Sequence, residues 1–290
     1  MNNQEFVIYL QIIMKLCILI STIGKGIDRI PNMLLPERND VQYVISWQTG
    51  CVGKEDTKSI SDFQGYQELF SQRNDVKLVM LHGKGLSRNR NNALSHSEGD
   101  ICLIADDDCH YNNEYFDSII DLYKQNPDID IALFRVINSE GKFHKKYPEH
   151  TLPYKDAVLK GYFPSSVEMT FRKKSIGSLR FNELFGLGSD YLCCGEEDVF
   201  LHDAINQGLN IQVVPKVIVM TGSNTTGVNF LSDIKVQRSK GATFRYCFGR
   251  FGGLWHCVKE ALHHLVYTRI NPLPLFKSML DGYNYCNSNI

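Results

Sequence analysis

A chain of 290 residues, 43% apolar and 22% charged, can bury one large core or two modest ones, which excludes a disordered or low-complexity protein. A formal net charge of −1 gives no global attraction to nucleic acid, so no nucleic-acid partner is expected. Nine cysteines, an odd number without CxxC spacing and partly inside apolar runs, read as reduced, mostly structural thiols and exclude a disulfide framework or a zinc site.

Residues 6–23 are largely apolar but carry Gln11 and Lys15, and they lack the basic start and small-residue cleavage site of a signal peptide. A lysine midway through a membrane span is costly. The stretch is therefore divided into an extension, residues 1–13, and a first core strand that follows. Met14 is a candidate biological start; N-terminal sequencing of the native protein that finds Asn2 or Asn3 first would exclude it.

Residues 16–22 read as a buried strand ending in the hydroxyls of Ser21 and Thr22. Gly24 and Gly26 loosen the next turn, and residues 27–35 can form a short helix before Pro36. A second strand, rich in β-formers, covers 41–47 and ends at Gln48. Ser59 or Ser61 can cap a helix running to Phe70, and 76–81 is a third strand. Gly83 and Gly85 open a helix at 86–94. Residues 101–105 are a short apolar run, typical of a strand buried on both faces, and they lead straight into Asp106, Asp107 and Asp108. Asn112 or Asn113 caps an amphipathic helix with Phe116, Ile119, Ile120 and Tyr123 at helical spacing. A fifth strand covers 129–136. Strands and helices thus alternate from 15 to 136 as a doubly wound, mostly parallel sheet requires.

The second half is less regular. Residues 138–153 are polar and turn-rich, 166–171 read as a strand, and 185–188 form a glycine-broken loop. A helix follows over 196–207, and one or two strands lie around Pro215. From Phe230 the pattern turns helical and more basic.

Three stretches carry chemistry. The three adjacent acids sit at the carboxyl end of a strand, where open α/β sheets bind ligands. A hard divalent cation, Mg²⁺ or Mn²⁺, would neutralise them, although a solvated acidic loop fits the same residues. The helix start at Gly85 carries Arg88 and Arg90, which suits an anion such as a diphosphate but also an exposed basic helix. Gly195-Glu196-Glu197-Asp198 opens the later helix, either as dipole-favoured N-terminal acids or as a source of a general base. Together they suit sugar transfer from a nucleoside diphosphate, with a metal-bound diphosphate as leaving group.

In this order the motifs carry a family resemblance. Ser21-Thr22, then Gly85-Leu86-Ser87 with Arg90-Asn91, Asp106-Asp107-Asp108 and Glu197-Asp198 resemble family 2 glycosyltransferases of the GT-A fold, over about residues 15–225. The run from Phe185-Gly186-Leu187-Gly188 to Gly195-Glu196-Glu197-Asp198 is similar to bacterial surface-polysaccharide enzymes. The resemblance implies a GT-A domain at 14–228, with a nucleotide-sugar half at 14–136 and an acceptor half at 137–228, followed by a helical region at 229–290. It implies a nucleotide-sugar donor, UDP-sugar first, and a saccharide or lipid-linked acceptor. Asp106 and Asp108 match metal ligands for Mn²⁺ or Mg²⁺, with Asp107 in the same run. Asp198 matches the base that deprotonates the acceptor, with Glu197 beside it. Ser21, Thr22, Gln48, Arg90, Asp106 and Asp107 fall at donor-contacting positions. Gln48 stands where many members carry aspartate.

Residues 242–267 combine Phe244, Phe248, Phe251, Leu254, Trp255 and Leu262 with Arg245, Arg250 and Lys259. Such a segment can lie on an anionic membrane or simply cover the domain. A cytoplasmic protein, peripheral on the inner face of the membrane in the first case, is expected. The rival functions are a sugar-1-phosphate nucleotidyltransferase, for which Gly24-Lys25-Gly26 is a thin version of the required loop, and a non-catalytic nucleotide-sugar-binding subunit. A phosphatase would want its acids on the first strand, not the fourth.

Overall fold

Leu16–Ile23 (β1) and Val41–Thr49 (β2) pair in parallel, in register from Leu16 opposite Val41 to Ile23 opposite Gln48. The computed structural model describes residues 13–49, 56–222, 229–269 and 271–289. The extension at 1–13 therefore lies almost wholly outside the described residues. Val76–His82 (β3) extends the sheet beyond β2, and Ile101–Asp106 (β4) pairs on the other side of β1, again in parallel. Asp56–Phe70 (α1), Leu86–Ser95 (α2) and Asn113–Gln125 (α3) alternate with these strands. Asn112 caps α3 by accepting from the Tyr115 N–H at 2.9 Å. The helix expected after Gly26 is instead a 3-10 helix, Gly24–Asn32, that contains Pro31.

Period-two alternation divides the core. Leu16, Ile18 and Ile20 face one side of the sheet with Phe116, Ile119 and Ile120 of α3, whereas Cys17 and Leu19 face the other side with Ala93 and Leu94 of α2. Every residue of β1 up to Thr22 is buried, which is why the strand reads as a continuous apolar run.

Beyond β4 the sheet departs from the doubly wound expectation. Ile131–Ile137 (β6) does not join β4 directly. Met169–Arg172 (β8) lies between them, antiparallel to both. Ile211–Thr221 (β9) then runs parallel to β6, with register shifts near Arg135 that absorb Pro215 in a bulge. Two very short strands escaped the sequence pattern, Cys109–His110 (β5) and Leu152–Pro153 (β7), and both pair with β9. So did the short helices Tyr154–Leu159 (α4) and Lys173–Ile176 (α5). The strand expected at 166–171 begins only at Met169, because Ser166–Glu168 is a 3-10 turn held by a capping box between Ser165 and Glu168.

Glu196–Asn206 (α6) packs Val199, Phe200 and Leu201 inward. The C-terminal region is a helix pair, Ile234–Thr268 (α7) and Pro272–Asn289 (α8), with non-helical backbone at Gly249 in the middle of α7. The two helices touch backbone to backbone: a Cβ on Gly241 would overlap the Met279 carbonyl, and one on Gly282 would overlap the Arg238 carbonyl. Phe185, Leu192 and Val199 pack with Ala242 and Cys286, so the pair is cored into the domain through α6. Tyr191 stacks on Tyr285 at 4.4 Å between centroids, and the Tyr246 hydroxyl donates to Asp203 at 3.0 Å. None of the described helices is long and apolar enough to cross a membrane.

Candidate active site

The carboxyl ends of β1, β2 and β4 meet at one edge, with Ser21 opposite both Ser46 and Asp106. Arg90 rises from α2 behind this edge. It is 1% exposed, and its guanidinium donates to Glu196 at 2.9 Å, Ser166 Oγ at 2.7 Å and Asp106 at 3.2 Å. One buried cation thus joins the acidic strand end, the start of α6 and the capping-box turn. Glu196 is the partner that the sequence reading passed over in favour of Glu197 and Asp198. Its position was legible: Glu196 precedes Val199 and Phe200 by three and four residues, which places it on the buried face of α6.

The three consecutive acids separate into different environments. Asp107 accepts from the Thr22 hydroxyl at 2.6 Å and from Arg29 at 2.8 Å. Gly26 lies against this contact, where any Cβ would overlap Asp107 Oδ2 and Thr22 Oγ1. The Gly24-Lys25-Gly26 loop, the feature that favoured a nucleotidyltransferase, is therefore packed onto the acidic turn. Asp106 faces Arg90 and stays partly exposed. Asp108, in the turn after β4, is partly exposed as well.

Other predicted donor residues are committed to the scaffold. The Gln48 amide donates to the Gly85 carbonyl at 3.0 Å, tying the end of β2 to the start of α2. The Ser21 hydroxyl is buried without a hydrogen-bond partner among the described residues. The helix start at Gly85, expected as an open anion site, is covered. The Leu86 N–H donates to the Leu187 carbonyl at 2.7 Å, the Ser87 hydroxyl donates to the Phe185 carbonyl at 2.6 Å, and Arg88 points to solvent. The glycine-broken loop 185–188 lies over that helix end, where a Cβ on Gly188 would meet the Gly85 nitrogen at 3.0 Å, tighter than side chains usually pack.

These elements border a cavity of about 560 Å³, lined by Arg90, Asp106, Glu197 and Asp198 and by the cations Lys145 and Lys240. Val236, Lys240, Thr243 and Glu260 reach it from α7, so the C-terminal helix closes one wall. Lys240 sits 5.2 Å from the ring centroids of both Phe163 and Phe244. Lys145 pairs with the fully buried Glu168 at 2.5 Å. Glu168 also accepts from the hydroxyls of Tyr162 at 2.6 Å and Tyr147 at 3.2 Å.

The two adjacent carboxylates of α6 differ electrostatically. Burial, then the neighbouring carboxylates of Glu196 and Asp198, raise the Glu197 pKa well above the ordinary range, against the pull of Arg90. Glu197 Oε2 has no hydrogen-bond partner among the described residues, as suits a carboxyl held protonated. Burial also raises Asp198, but Lys240 and Lys145 oppose that rise. Asp198 is thus the member of the pair better placed to ionise and accept a proton. A raised carboxyl stabilises the fold fully only below its unfolded pKa of about 4.3, and that contribution is lost as pH rises through the folded value. Glu197→Gln should therefore raise the thermal midpoint at pH 8 relative to the parent and flatten its dependence on pH. An unchanged or lowered midpoint at pH 8 would mean that Glu197 is ionised in the fold.

Residues 61–188 match the model of glycosyl transferase family 2. No curated protein matches the sequence. Among solved structures, the chain is similar to the crystal structure of S. aureus TarS 1–349, with a TM-score of 0.58 at 15% identity, covering 94% of this chain and 81% of that one. The same TarS segment in complex with UDP-GlcNAc gives a TM-score of 0.52 at 14% identity, covering 88% and 73%. Its complex with UDP gives 0.53, at the same identity and coverage. These likenesses show the fold, a mixed α/β sheet of GT-A type flanked by helices, with a helical C-terminal region.

Proposed function

From the match of residues 61–188 to the glycosyl transferase family 2 model, we propose a metal-dependent, inverting glycosyltransferase that moves a sugar from a nucleoside-diphosphate sugar to a hydroxyl of a saccharide or lipid-linked saccharide. UDP-sugars are the first donors to test, since UDP and UDP-GlcNAc are bound in the TarS complexes. Bacterial surface-polysaccharide synthesis is the process that this chemistry serves. The observation that carries the reading is the shared cavity: Asp106 and Asp198 both line it, and Arg90 ties Asp106 to Glu196 at the start of the helix that carries Asp198.

Asp106 and Asp108 fit a hard cation held partly by the substrate. No cluster of three or more His, Cys, Asp or Glu residues suited to a metal occurs among the described residues. A cation that takes one or two carboxylates and completes its shell with diphosphate oxygens and water needs no more. The Asp108 carboxylate makes no hydrogen bond or ion pair among the described residues, so it is available, whereas Asp107 is held by Thr22 and Arg29. A bound Mn²⁺ or Mg²⁺ would offset the charge that develops on the departing diphosphate. Arg90 fixes the direction of Asp106. Asp198 takes the proton of the acceptor hydroxyl as its oxygen attacks the anomeric carbon, opposite the leaving diphosphate. Lys145 and Lys240 keep Asp198 ionisable for that step.

The test is a panel of nucleoside diphosphates and nucleotide sugars, each with and without Mn²⁺, read as a shift of the thermal midpoint. Occupancy stabilises the folded state by mass action, by roughly 2.7 kcal/mol at a hundredfold excess over Kd, and so raises the midpoint. We expect a shift with UDP or a UDP-sugar that EDTA removes. No shift with any nucleotide, metal or not, would sink the reading.

A peripheral membrane position rests on α7. Phe251 is 86% exposed and Trp255 64%, with Phe248, Leu254 and the exposed cations Arg250 and Lys259 beside them. An apolar strip bordered by cations suits an anionic lipid surface. Removing the helix pair is a poor test, because α7 also walls the cavity. The double substitution Phe251→Glu, Trp255→Glu should instead leave the fold intact and reduce flotation with anionic vesicles severalfold. Equal flotation of both proteins would exclude lipid binding by this strip.

A further inference from the structure

The cations of α7 are placed differently from one another. Arg238 lies over the Tyr191 ring and Arg245 is held by Asn287, whereas Lys235, Arg250 and Lys259 are exposed. Lys240 alone among them lines the cavity. Its ammonium stands 5.2 Å from the ring centroids of both Phe163 and Phe244 and makes no hydrogen bond or ion pair with a described residue. Lys145, the other lysine of the cavity, is committed: it pairs with Glu168 and donates to the Phe163 carbonyl at 2.6 Å. Glu260 reaches the same cavity because Gly249 folds α7 back on itself. A Cβ on Gly253 would overlap the Phe244 carbonyl, and Phe248 stacks on His256 at 4.0 Å. The Glu260 carboxylate pairs with His264 at 3.5 Å, not with Lys240.

An ammonium has three donors and no acceptor. Two phenyl rings take up part of the surroundings of this one, so water or a ligand must complete its hydrogen bonds. Resting on the transferase reading above, we propose that the acceptor is anionic: a phosphate or carboxylate lies close to its reacting hydroxyl and is received by Lys240.

Asp198 shares the cavity with Lys240 and lies within its electrostatic reach. One ligand can therefore present its hydroxyl to the carboxylate and its anion to the ammonium. Phe163, 51% exposed, adds an apolar face beside the ammonium against which a sugar ring can lie. A neutral acceptor would fill the same space and leave the ammonium partly desolvated without a partner, which is the basis of discrimination. The anion has a second effect. It offsets the pull of Lys240 on Asp198, so the base gains proton affinity once the acceptor is seated.

The test titrates the full chain with glucose, glucose 6-phosphate and glucuronate and reads each dissociation constant by ligand-observed NMR. No nucleotide is present, so this titration and the nucleotide panel can fail separately. We expect at least one charged sugar to bind more tightly than glucose by on the order of tenfold, with an affinity that falls as salt is added. The stronger of the two charged sugars tells phosphate from carboxylate. Lys240→Gln should bring the charged sugars down to the level of glucose, and Lys240→Arg should keep most of their advantage. If Lys240→Gln does not fold, the preference for charge and its salt dependence in the parent, with retention in Lys240→Arg, still decide. Equal or absent binding of the three sugars by the parent would overturn the proposal. So would charged-sugar binding that Lys240→Gln leaves unchanged, because the anion would then sit elsewhere, as on the donor edge.

Discussion

Asp198→Asn should lower turnover by about 10²–10⁴-fold while leaving nucleotide binding in place, because the substitution removes a proton acceptor and keeps its shape. The separation of the two effects is the informative part. Asp198 is held near Lys240 and Lys145, whereas the donor is assigned to the Asp106 edge, and both acids line the cavity. A thermal-shift titration with the nucleotide that binds the parent should therefore return a similar midpoint increase for the variant. If donor binding disappears along with turnover, Asp198 shapes the donor pocket and the base must be sought elsewhere. The activity of the parent should fall as pH drops through a value above the usual aspartate range, since burial raises Asp198. The variant should lack that limb.

Arg90→Met should be among the most damaging single changes to stability. The side chain is 1% exposed and holds two carboxylates and a serine hydroxyl. Removing one member of a buried ion pair costs about 3–5 kcal/mol, chiefly because the remaining charge has lost its partner. That charge is the Glu196 carboxylate, itself buried and with Oε2 already unpartnered among the described residues. Denaturant unfolding of Arg90→Met alone and with Glu196→Gln separates the causes: the double variant should recover a large part of the loss. A single variant within about 1 kcal/mol of the parent would show that the bridge holds little of the fold together.

The first half of the sheet was legible because its strands are buried on both faces, and continuous apolar runs such as 16–20 and 101–105 admit few other readings. The helix α3 was legible from its cap and its spacing. The antiparallel insertion of β8 was not, because four residues carry no periodicity and strand order depends on partners far along the chain. One local signal was present and passed over: Ser165 followed three residues later by Glu168 is a capping-box pattern, and it starts the 3-10 turn where a strand was expected. At the site, Asp106 and Asp198 were found as acids at element ends. The bridge from Arg90 to Glu196 spans 106 residues of sequence, and no local pattern encodes a contact at that distance. The covering of the Gly85 helix end by loop 185–188 was hidden for the same reason.

The α7 wall has a consequence for the order in which the protein comes into being. All of the sheet precedes Ile234 in the chain, so on the ribosome the sheet can pair before the helix that carries Val236, Lys240 and Thr243 has been made. At roughly 5–20 residues per second, the 35 residues of α7 take a few seconds to synthesise. During that interval the acids at the sheet edge already stand in place, but the cavity lacks a side and Asp198 lacks Lys240. A nascent chain in this state would be folded yet silent, and competence would arrive as a late, discrete event in its synthesis.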